Sequence, residues 1–249
     1  MESHMEKNSS VIKDASGIKR IQSGIHGLDS FIGGGIVAKS SVLLRGDTGT
    51  LKTLFSLQFL YTGAHKYDEP GAFLSFADSE ETIYQHGKVF GWDIKDLVKK
   101  KKLAIIRYHP HEVVRILEDG GGVIRDTLDE IGAKRFVVDS LTEFEMLFES
   151  RYKANESILD LFELLRQWNT TSLVTSETHV DPNRGAPDRL GFLTDGIINL
   201  YHLRINGEMK RALEIIKMRD TAHSEKIHIC KLKHDGISLN DETWSIGEK

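Results

Sequence analysis

Residues 46–53 combine the residue types that bind a phosphate group. The sequence Gly-Asp-Thr-Gly-Thr-Leu-Lys-Thr follows an apolar run, 41–44, that predicts a buried strand, and precedes residues 54–61, which have helical spacing. A loop of small residues between strand and helix points backbone N–H groups at an anion, and the helix dipole favours negative charge there. Lys52 would reach the terminal phosphates, and the Thr53 hydroxyl would bind Mg²⁺. The pattern predicts a nucleotide-binding loop whose contacts are Thr48, Gly49, Thr50, Leu51, Lys52 and Thr53.

One position departs from the usual pattern, G-x-x-x-x-G-K-[ST], because Leu51 stands where the second glycine is expected. Glycine there lets the backbone approach the phosphates closely, so Leu51 would loosen the grip of the loop. The alternative interpretation is a chance turn of small residues before a helix. The intact Gly46, Gly49, Lys52 and Thr53, in a strand–loop–helix context, favour the phosphate-binding loop.

Asp139 lies at the end of a second apolar strand, predicted over 135–140, and is followed by Ser140. A carboxylate in this position holds Mg²⁺ through its water shell when a phosphate-binding loop lies beside it. The alternative is an aspartate that caps the following helix. Because the loop is present independently, the sequence predicts a metal site containing Thr53 and Asp139.

The composition is that of an ordinary globular protein, with 39% hydrophobic and 28% charged residues among 249. The net charge of −4 argues against a surface coated in basic residues for nucleic acid. Cys230 is the only cysteine, so no intramolecular disulfide can form. No apolar run approaches about 18 residues, which predicts no membrane-spanning helix, and no secretory signal is evident. We therefore expect a cytoplasmic protein.

The N-terminus has a different character from the rest of the chain. Residues 1–5, Met-Glu-Ser-His-Met, resemble an expression-vector remnant that ends at the native Met5, and residues 6–16 are polar. Polar terminal segments are commonly frayed. We predict a flexible segment over 1–16 and a single domain over 17–246.

The remaining elements alternate between strand and helix before the chain becomes rich in strands. Strands are predicted over 71–77, 103–107, 135–140, 171–178, 197–205, 211–218 and 227–233, and helices over 80–90, 112–117, 123–131 and 157–168. This order predicts an α/β fold with a mainly parallel central sheet and antiparallel strands at one edge. Ligands of such sheets bind at the C-terminal ends of the strands. The loop at 46–53, Asp78 and Asp139 are expected to meet there.

With these motifs the sequence resembles the KaiC family of RecA-like ATPases, especially single-domain archaeal members. The resemblance extends from about residue 17 to 244 and includes Ser-Gly-Ile-His-Gly-Leu-Asp at 23–29, Phe-Gly-Trp-Asp at 90–93 and Val-Val-Asp-Ser-Leu-Thr at 137–142. Gly-Gly-Gly at 33–35 and Asn-Gly-Glu-Met-Lys-Arg-Ala at 206–212 also match. The resemblance implies a RecA-like P-loop fold that binds ATP and Mg²⁺.

The most specific part of the resemblance is Lys-Met-Arg-Asp-Thr-Ala-His at 217–223. In the family this segment crosses a subunit interface to the ATP of the neighbour, and members form rings, usually hexamers. The resemblance implies that Lys217 and Arg219 contact the γ-phosphate in trans, where an Arg stabilises developing charge. Thr221 and His223 would lie near the ribose or base, with Met218 between the two groups. The alternative is an exposed, charged end of an edge strand.

Five further residues, at three places in the chain, depart from the family pattern. Family members carry two glutamates after Gly-Ala-Phe-Leu-Ser-Phe at 71–76, where the attacking water is activated, and Ala77 and Asp78 stand there instead. The carboxylate of Asp78 is one methylene shorter, and general-base geometry is tight. Gly191 and Phe192 stand where the clock member of the family has a Ser and a Thr that it phosphorylates. Neither residue has a hydroxyl, which excludes autophosphorylation at these two positions. Asp220 stands where a glycine is usual and would dampen the positive field of Arg219.

Several other features keep a second interpretation. Glu177 ends a strand and would either sense the γ-phosphate or serve in a cap or interface ion pair. Residues 144–148 contain Phe144, Met146, Leu147 and Phe148 and would either bind a partner or pack beneath an interface. Residues 99–102, four lysines, predict a solvated helix end rather than a nucleic-acid patch. His109, His111 and Glu112 match no standard zinc spacing.

Taken together, these features predict a ring-forming regulatory ATPase with slow hydrolysis, in which Lys52, Asp78, Lys217 and Arg219 act in catalysis. A homo-oligomer and an unidentified protein partner are expected. The alternatives are a nucleotide-gated binding scaffold with weak catalysis and, from the other activity of the RecA superfamily, DNA recombination or repair. The net charge and the lack of an appended DNA-binding domain count against nucleic acid as a partner.

Overall fold

A nine-stranded sheet with helices on both faces forms the body of the protein. This description rests on a computed structural model and covers residues 11–13, 17–108, 112, 120–183 and 190–245. The strands are β1 (Val11–Lys13), β2 (Lys19–Ile21), β3 (Ile36–Val37), β4 (Ser41–Gly46), β5 (Gly71–Ser75), β6 (Leu103–Arg107), β7 (Arg135–Asp139), β8 (Thr171–Glu177), β9 (Gly196–Ile205), β10 (Glu208–Met218), β11 (Ile227–Lys233) and β12 (Gly236–Trp244). The helices within these residues are α1 (Leu28–Phe31), α2 (Lys52–Lys66), α3 (Glu80–Val89), α4 (Ile94–Lys99), α5 (Gly122–Ile131), α6 (Leu141–Glu145) and α7 (Arg151–Gln167).

The sheet order is β12-β11-β10-β9-β4-β8-β7-β5-β6. Strands β9, β4, β8, β7, β5 and β6 pair in parallel, whereas β9 to β12 pair antiparallel along the chain. The predicted α/β fold, with a mainly parallel sheet and antiparallel strands at one edge, is therefore confirmed. Parallel strands buried on both faces have near-continuous apolar sequences, as β4 and β7 do.

Two apolar cores lie on opposite faces of the sheet. One contains Phe55 and Phe59 of α2, together with residues of α1, α3 and α4. The other contains Phe144 of α6 and Phe162 of α7, together with residues of α5. Phe144 is fully buried, whereas Met146 is 77% exposed. Only part of the segment 144–148 is therefore accessible to a partner.

A buried ion pair joins the strand β7 to Glu69, just beyond the end of α2. Arg135 has no exposed surface, and its guanidinium lies 2.6 Å from a carboxylate oxygen of Glu69. The same side chain donates to the backbone oxygens of Phe59 and Gln22 at 2.8 and 3.0 Å. A buried charge is tolerated when it is paired and hydrogen-bonded in this way.

Helix boundaries follow local capping signals that were only partly read from the sequence. Helix α3 begins at Glu80, as predicted, and the Ser79 hydroxyl caps it by accepting from the Thr82 N–H. The prediction for α7 was wrong at its start: the helix begins at Arg151 rather than 157, because Ser150 caps it by accepting from the Lys153 N–H. The helix predicted over 112–117 lies largely outside the described residues, as do His109 and His111.

The antiparallel edge contains one tight turn and one strand that was not predicted. Asn206 and Gly207 both have positive φ, at 52° and 83°, and connect β9 to β10 in a hairpin turn of the Asn-Gly type. The strand β12 was not predicted; it pairs with β11 through a register shift near residue 229. This strand closes the described edge of the sheet.

A separate three-stranded sheet precedes the main one. Strand β1 pairs antiparallel with β2, which pairs with β3. Residues 11–13 are therefore paired, in contrast to the frayed segment expected over 1–16.

Lysines 100, 101 and 102 make exposed ion pairs with Asp96, Glu130 and Asp68, in line with a solvated helix end. Within the described part of the chain, no helix combines the length and apolarity needed to cross a bilayer.

Candidate nucleotide-binding site

The loop between β4 and α2 has the backbone shape of a phosphate-binding loop. Gly49 has a φ of 80°, and Leu51, which precedes the helix directly, has a φ of 77° and a ψ of 23°. This left-handed conformation favours glycine, so Leu51 retains the backbone of the missing glycine while carrying a side chain. A Cβ on Gly46 would lie 2.5 Å from the Leu200 carbonyl oxygen, so a side chain there would require the strands to shift.

Lys52 and Thr53 open the helix and point into the site. The Lys52 ammonium donates to the backbone oxygens of Gly46 and Asp47 at 2.8 and 2.9 Å. Burial lowers the pKa of Lys52, and the nearby carboxylates of Glu177 and Asp139 oppose that shift. The lysine is thus held over the loop, where a phosphate could replace the carbonyl oxygens as its partner.

Thr53 and Asp139 meet as the predicted metal site requires. The Thr53 hydroxyl donates to Asp139 Oδ2 at 2.8 Å, and Thr175 donates to the other carboxylate oxygen. Burial raises the pKa of Asp139, whereas these two hydrogen bonds lower it. Hard oxygen ligands of this kind, beside a phosphate-binding loop, fit Mg²⁺. Among the described residues, no three His, Cys, Asp or Glu side chains form a group that could hold a metal ion.

The loop is tethered by side chains from neighbouring strands. The imidazole of His179 lies 3.0 Å from the Asp47 carboxylate, and Thr48 donates to Glu177. His202 Nε2 lies 3.1 Å from the Gly49 carbonyl oxygen, and Arg211 Nε donates to the same oxygen at 3.3 Å. These contacts connect the loop to β8, β9 and β10 and to the residues that follow β8. Glu177, at the end of β8, is therefore a hydrogen-bond partner of the loop.

A cavity of about 550 Å³ opens above the loop at the C-terminal ends of the parallel strands. Seven of the predicted site residues line this cavity: Thr48, Gly49, Leu51, Lys52, Thr53, Asp78 and Asp139. Of the predicted loop contacts, Thr50 does not line the cavity; its side chain is buried and its hydroxyl donates to the Asp47 carbonyl oxygen at 2.7 Å. Asp78 reaches the cavity beside Ala77, with its N–H donating to Ser75 Oγ at 2.9 Å.

Several residues that line the cavity were not predicted from the sequence. Glu143 lies there as the last residue of a capping box that begins at Ser140, a pattern that the sequence does display. His86 and Phe90 come from α3 and its end, and Leu232 comes from β11. These three side chains contribute to the lining of the cavity, and only folding brings Leu232 to it.

The predicted trans segment lies at the opposite end of the sheet from the loop. Met218 pairs with Gly196, which in turn pairs with Val42 near the start of β4. Four residues of strand separate Val42 from Gly46, a rise of about 13 Å. None of Lys217, Met218, Arg219, Thr221 and His223 lines the cavity.

The cationic side chains of this segment contact groups at the end of the sheet opposite the loop, which we call the foot of the sheet. Lys217 donates to the carbonyl oxygens of Gly191 and Thr194 at 2.6 and 2.7 Å. Arg219 lies 3.0 Å from an Asp195 carboxylate oxygen and is half exposed. His223 Nδ1 lies 3.0 Å from Ser224 O, the Thr221 hydroxyl donates to Arg219 O, and Met218 is buried. The fold therefore does not bring these residues to the phosphate-binding loop of their own chain.

Comparison with known proteins agrees with this architecture. Residues 21–243 match the family described as KaiC ATPase. A UPF0273 protein of Methanocaldococcus jannaschii is 32% identical over 88% of this chain and 96% of its own length. The circadian clock oscillator protein KaiC of Prochlorococcus marinus is 31% identical over 88% of this chain, which spans only 45% of that protein.

A solved structure has the same fold and a similar sequence. The crystal structure of a KaiC-like protein from Pyrococcus horikoshii superimposes with a TM-score of 0.80 and 33% identity, covering 90% of this chain and 99% of the other. The phosphate-binding loop, the Thr53–Asp139 pair and the sheet order occur here in one RecA-like framework. The chain belongs to the KaiC family of RecA-like ATPases.

Proposed function

We propose that this protein is a ring-forming regulatory ATPase that binds ATP between subunits, within a single domain spanning residues 17–246. The observation that carries the proposal is the placement of two half-sites at opposite ends of one sheet. Lys52, Thr53 and Asp139 face the cavity at the C-terminal ends of the strands, and Lys217 and Arg219 lie at the other end. Each half-site needs a second copy of the chain to be complete.

The geometry favours a closed ring over a two-fold dimer. A contact that joins the top of one sheet to the foot of another uses two different surfaces, so it is heterologous. Repeated heterologous contacts close into rings when the rotation between copies allows it. A hexamer is the assembly we propose, with ATP bound at each interface and Arg219 of one copy directed at the γ-phosphate held by the next.

The chemistry assigned to the chain's own residues is positioning and charge stabilisation. Lys52 would exchange its two backbone oxygens for phosphate oxygens, and Thr53 with Asp139 would hold Mg²⁺. The metal, when bound, neutralises charge on the β- and γ-phosphates. A water oxygen bonds to the γ-phosphorus, the bond to the bridging oxygen of ADP breaks, and Asp78 accepts the proton of the water.

Slow turnover follows from the same site. Asp78 stands where the family has glutamate, and its neighbour is Ala77, so the base is short by one methylene. A general base must come within about 2.6–3.2 Å of its proton donor, directly or through one water. Hydrolysis would then be a slow event that changes the interface, and through it the contact with a protein partner.

The test measures assembly and turnover on one sample. Mass by light scattering is recorded with and without Mg²⁺-ATP while phosphate release is assayed, with Lys52→Ala and Arg219→Ala as variants. We expect ATP to promote a ring that releases phosphate, because a ligand that bridges subunits stabilises the assembly by mass action. Lys52→Ala should lose both properties. A chain that stays monomeric with ATP, or an Arg219→Ala variant unchanged in assembly and turnover, would refute the trans arrangement.

A second candidate is a nucleotide-gated scaffold, favoured by Ala77 and Asp78 at the base position. It binds ATP and forms the ring without useful catalysis. Phosphate release no faster than in Lys52→Ala, together with an ATP-dependent ring, would select this candidate over the ATPase.

A further inference from the structure

The proposed trans segment does not stand alone; it rests on residues from the start of the chain. Arg20, on β2, is 97% buried, and its guanidinium faces the turn that follows β10. One NH₂ group donates to the Asp220 carbonyl oxygen at 2.7 Å, and the other donates to the Thr221 hydroxyl at 2.8 Å. The second group also lies 3.4 Å from the Gly35 carbonyl oxygen. Arg20 thus joins the turn to the small N-terminal sheet.

Contacts on either side of Arg20 complete a cradle, which we define as Arg20, Phe31, Gly33 and His228. The Ser224 N–H donates to the Phe31 carbonyl oxygen at 2.9 Å, and the Phe31 ring stacks on His228 at 3.8 Å between centroids. His228 Nε2 lies 2.7 Å from the Ser224 hydroxyl. A Cβ on Gly33 would lie 3.5 Å from a Thr221 methyl, so the turn passes close above that glycine.

The turn held by the cradle is one that the sequence does not favour. Asp220 has a φ of 52°, in the left-handed region that residues with a side chain adopt less readily than glycine. The Asp220 carbonyl oxygen accepts a charge-assisted hydrogen bond from Arg20, which is stronger than a neutral one. The cationic donor therefore stabilises the strained residue at the centre of the segment.

The direction of this turn decides where the neighbouring side chains project. Arg219 directly precedes Asp220, and the Thr221 hydroxyl donates back to the Arg219 carbonyl oxygen at 3.0 Å. Thr221 thereby connects the guanidinium of Arg20 to the backbone of Arg219. A shift in the turn would move the Arg219 side chain and the backbone of His223 together.

We propose that Arg20 is a positioning residue for the site of the neighbouring subunit: by holding the Asp220–Thr221 turn, it sets the direction in which Arg219 approaches the next copy's ATP. This inference rests on the trans arrangement of the proposed function. Arg20 acts through the turn and contacts neither phosphate nor metal. Its influence is exerted on the active site of another chain.

The test uses Arg20→Met, which removes the donors, and Arg20→Lys, which keeps the charge but loses the planar fork. Arg20→Met should retain its own ATP binding, because the loop at residues 46–53 lies at the other end of the sheet. Phosphate release should fall by about 10²-fold, the effect of a misplacement of about 1 Å. Arg20→Lys should retain part of the rate, since an ammonium is a point donor.

Mixing of variants separates a defect in the turn from a general structural defect. Monomers of Arg20→Met and Lys52→Ala are combined before Mg²⁺-ATP is added. The Lys52→Ala chain loses ATP binding at its own loop but still offers an intact turn to the loop of a neighbour. Pairings of the intact loop of the first variant with the intact turn of the second make up about a quarter of all pairings in an equal mixture, so up to about a quarter of the wild-type rate should return. A mixture of Arg20→Met with Arg219→Ala should remain inactive, because both variants are defective on the same side.

The failures of this inference and of the proposed function are distinguishable. A control mixture of Arg219→Ala with Lys52→Ala tests the trans site alone. If that control recovers activity and the Arg20 mixture does not, Arg20 acts within its own subunit and the inference is wrong. If neither recovers, the trans site itself is wrong. A wild-type rate for unmixed Arg20→Met also overturns the inference. Should Arg20→Met fail to fold, Arg20→Lys replaces it in the same mixtures.

Discussion

Leu51 offers a direct test of the loop's backbone, because two substitutions there should reverse an ordinary order of stability. At an exposed position inside a helix, glycine is less stable than alanine by about 1 kcal/mol. Residue 51 instead has a φ of 77°, a conformation that alanine adopts with strain and glycine adopts freely. We expect Leu51→Gly to be more stable than Leu51→Ala.

The magnitude follows from three contributions. Both variants lose the packing of the half-buried Leu51 side chain against the core around α2, which costs about 1 kcal/mol. Leu51→Gly avoids the strain of the left-handed conformation, roughly 1–2 kcal/mol, which Leu51→Ala retains. Glycine also lowers the unfolding free energy by about 0.5–1 kcal/mol because it raises the entropy of the unfolded chain. The net difference in unfolding free energy is about 0.5–1 kcal/mol in favour of Leu51→Gly.

Thermal unfolding of the nucleotide-free protein measures this difference. For a chain of this size, 1 kcal/mol shifts Tm by about 2–4 °C. The matched control is Asp160, an exposed residue inside α7, where Asp160→Ala should melt above Asp160→Gly. If Leu51→Ala proves as stable as Leu51→Gly or more so, residue 51 does not hold the left-handed conformation, and the account of the loop is wrong.

Three further predictions concern the buried ion pair, a buried histidine and the base. Arg135→Met should lower the unfolding free energy by about 3–5 kcal/mol, because the Glu69 carboxylate loses its guanidinium, and urea unfolding should find a smaller loss when Glu69→Gln is added. Burial lowers the pKa of His228, so its contribution to stability is present above about pH 6.5 and is lost as the pH falls through the lower pKa of the folded state. His228→Gln should therefore flatten the fall in unfolding free energy between about pH 7.5 and 5.5, and an equally steep fall would contradict this assignment. Asp78→Glu should raise phosphate release by about tenfold or more while ATP affinity changes little, and an unchanged rate would remove the short carboxylate as the cause of slow turnover.

Local signals in the sequence were sufficient for the parts of the site that are contiguous in the chain. The loop at residues 46–53 and the strand ending at Asp139 carry spacing that only a few structures satisfy, and the order of strands and helices then implied one shared edge of the sheet. The structure brings Thr53 within hydrogen-bond distance of Asp139 at that edge. The start of α7 was misjudged because the signal of a single serine at position 150 is weak beside the apolar periodicity.

Contacts between distant segments were beyond the reach of sequence patterns. Nothing in the spacing of Arg20 or Leu232 indicates a partner some 200 residues away along the chain, because packing between elements depends on register and on which face each strand presents. The resemblance implied that residues 217–223 act on another subunit. The register of β10 on β9, and of β9 on β4, carries that segment to the end of the sheet opposite the loop of its own chain.

The sequence by itself determined the fold class and the family and predicted the phosphate-binding loop, because each depends on residue type and spacing along a continuous stretch of chain. The tertiary structure alone decided that Leu51 takes up the backbone of glycine, that Thr50 is turned away from the cavity and that Arg20 supports the turn at Asp220. These features depend on dihedral angles and on contacts across the fold, and such quantities are fixed only when the strands have paired and the two cores have packed.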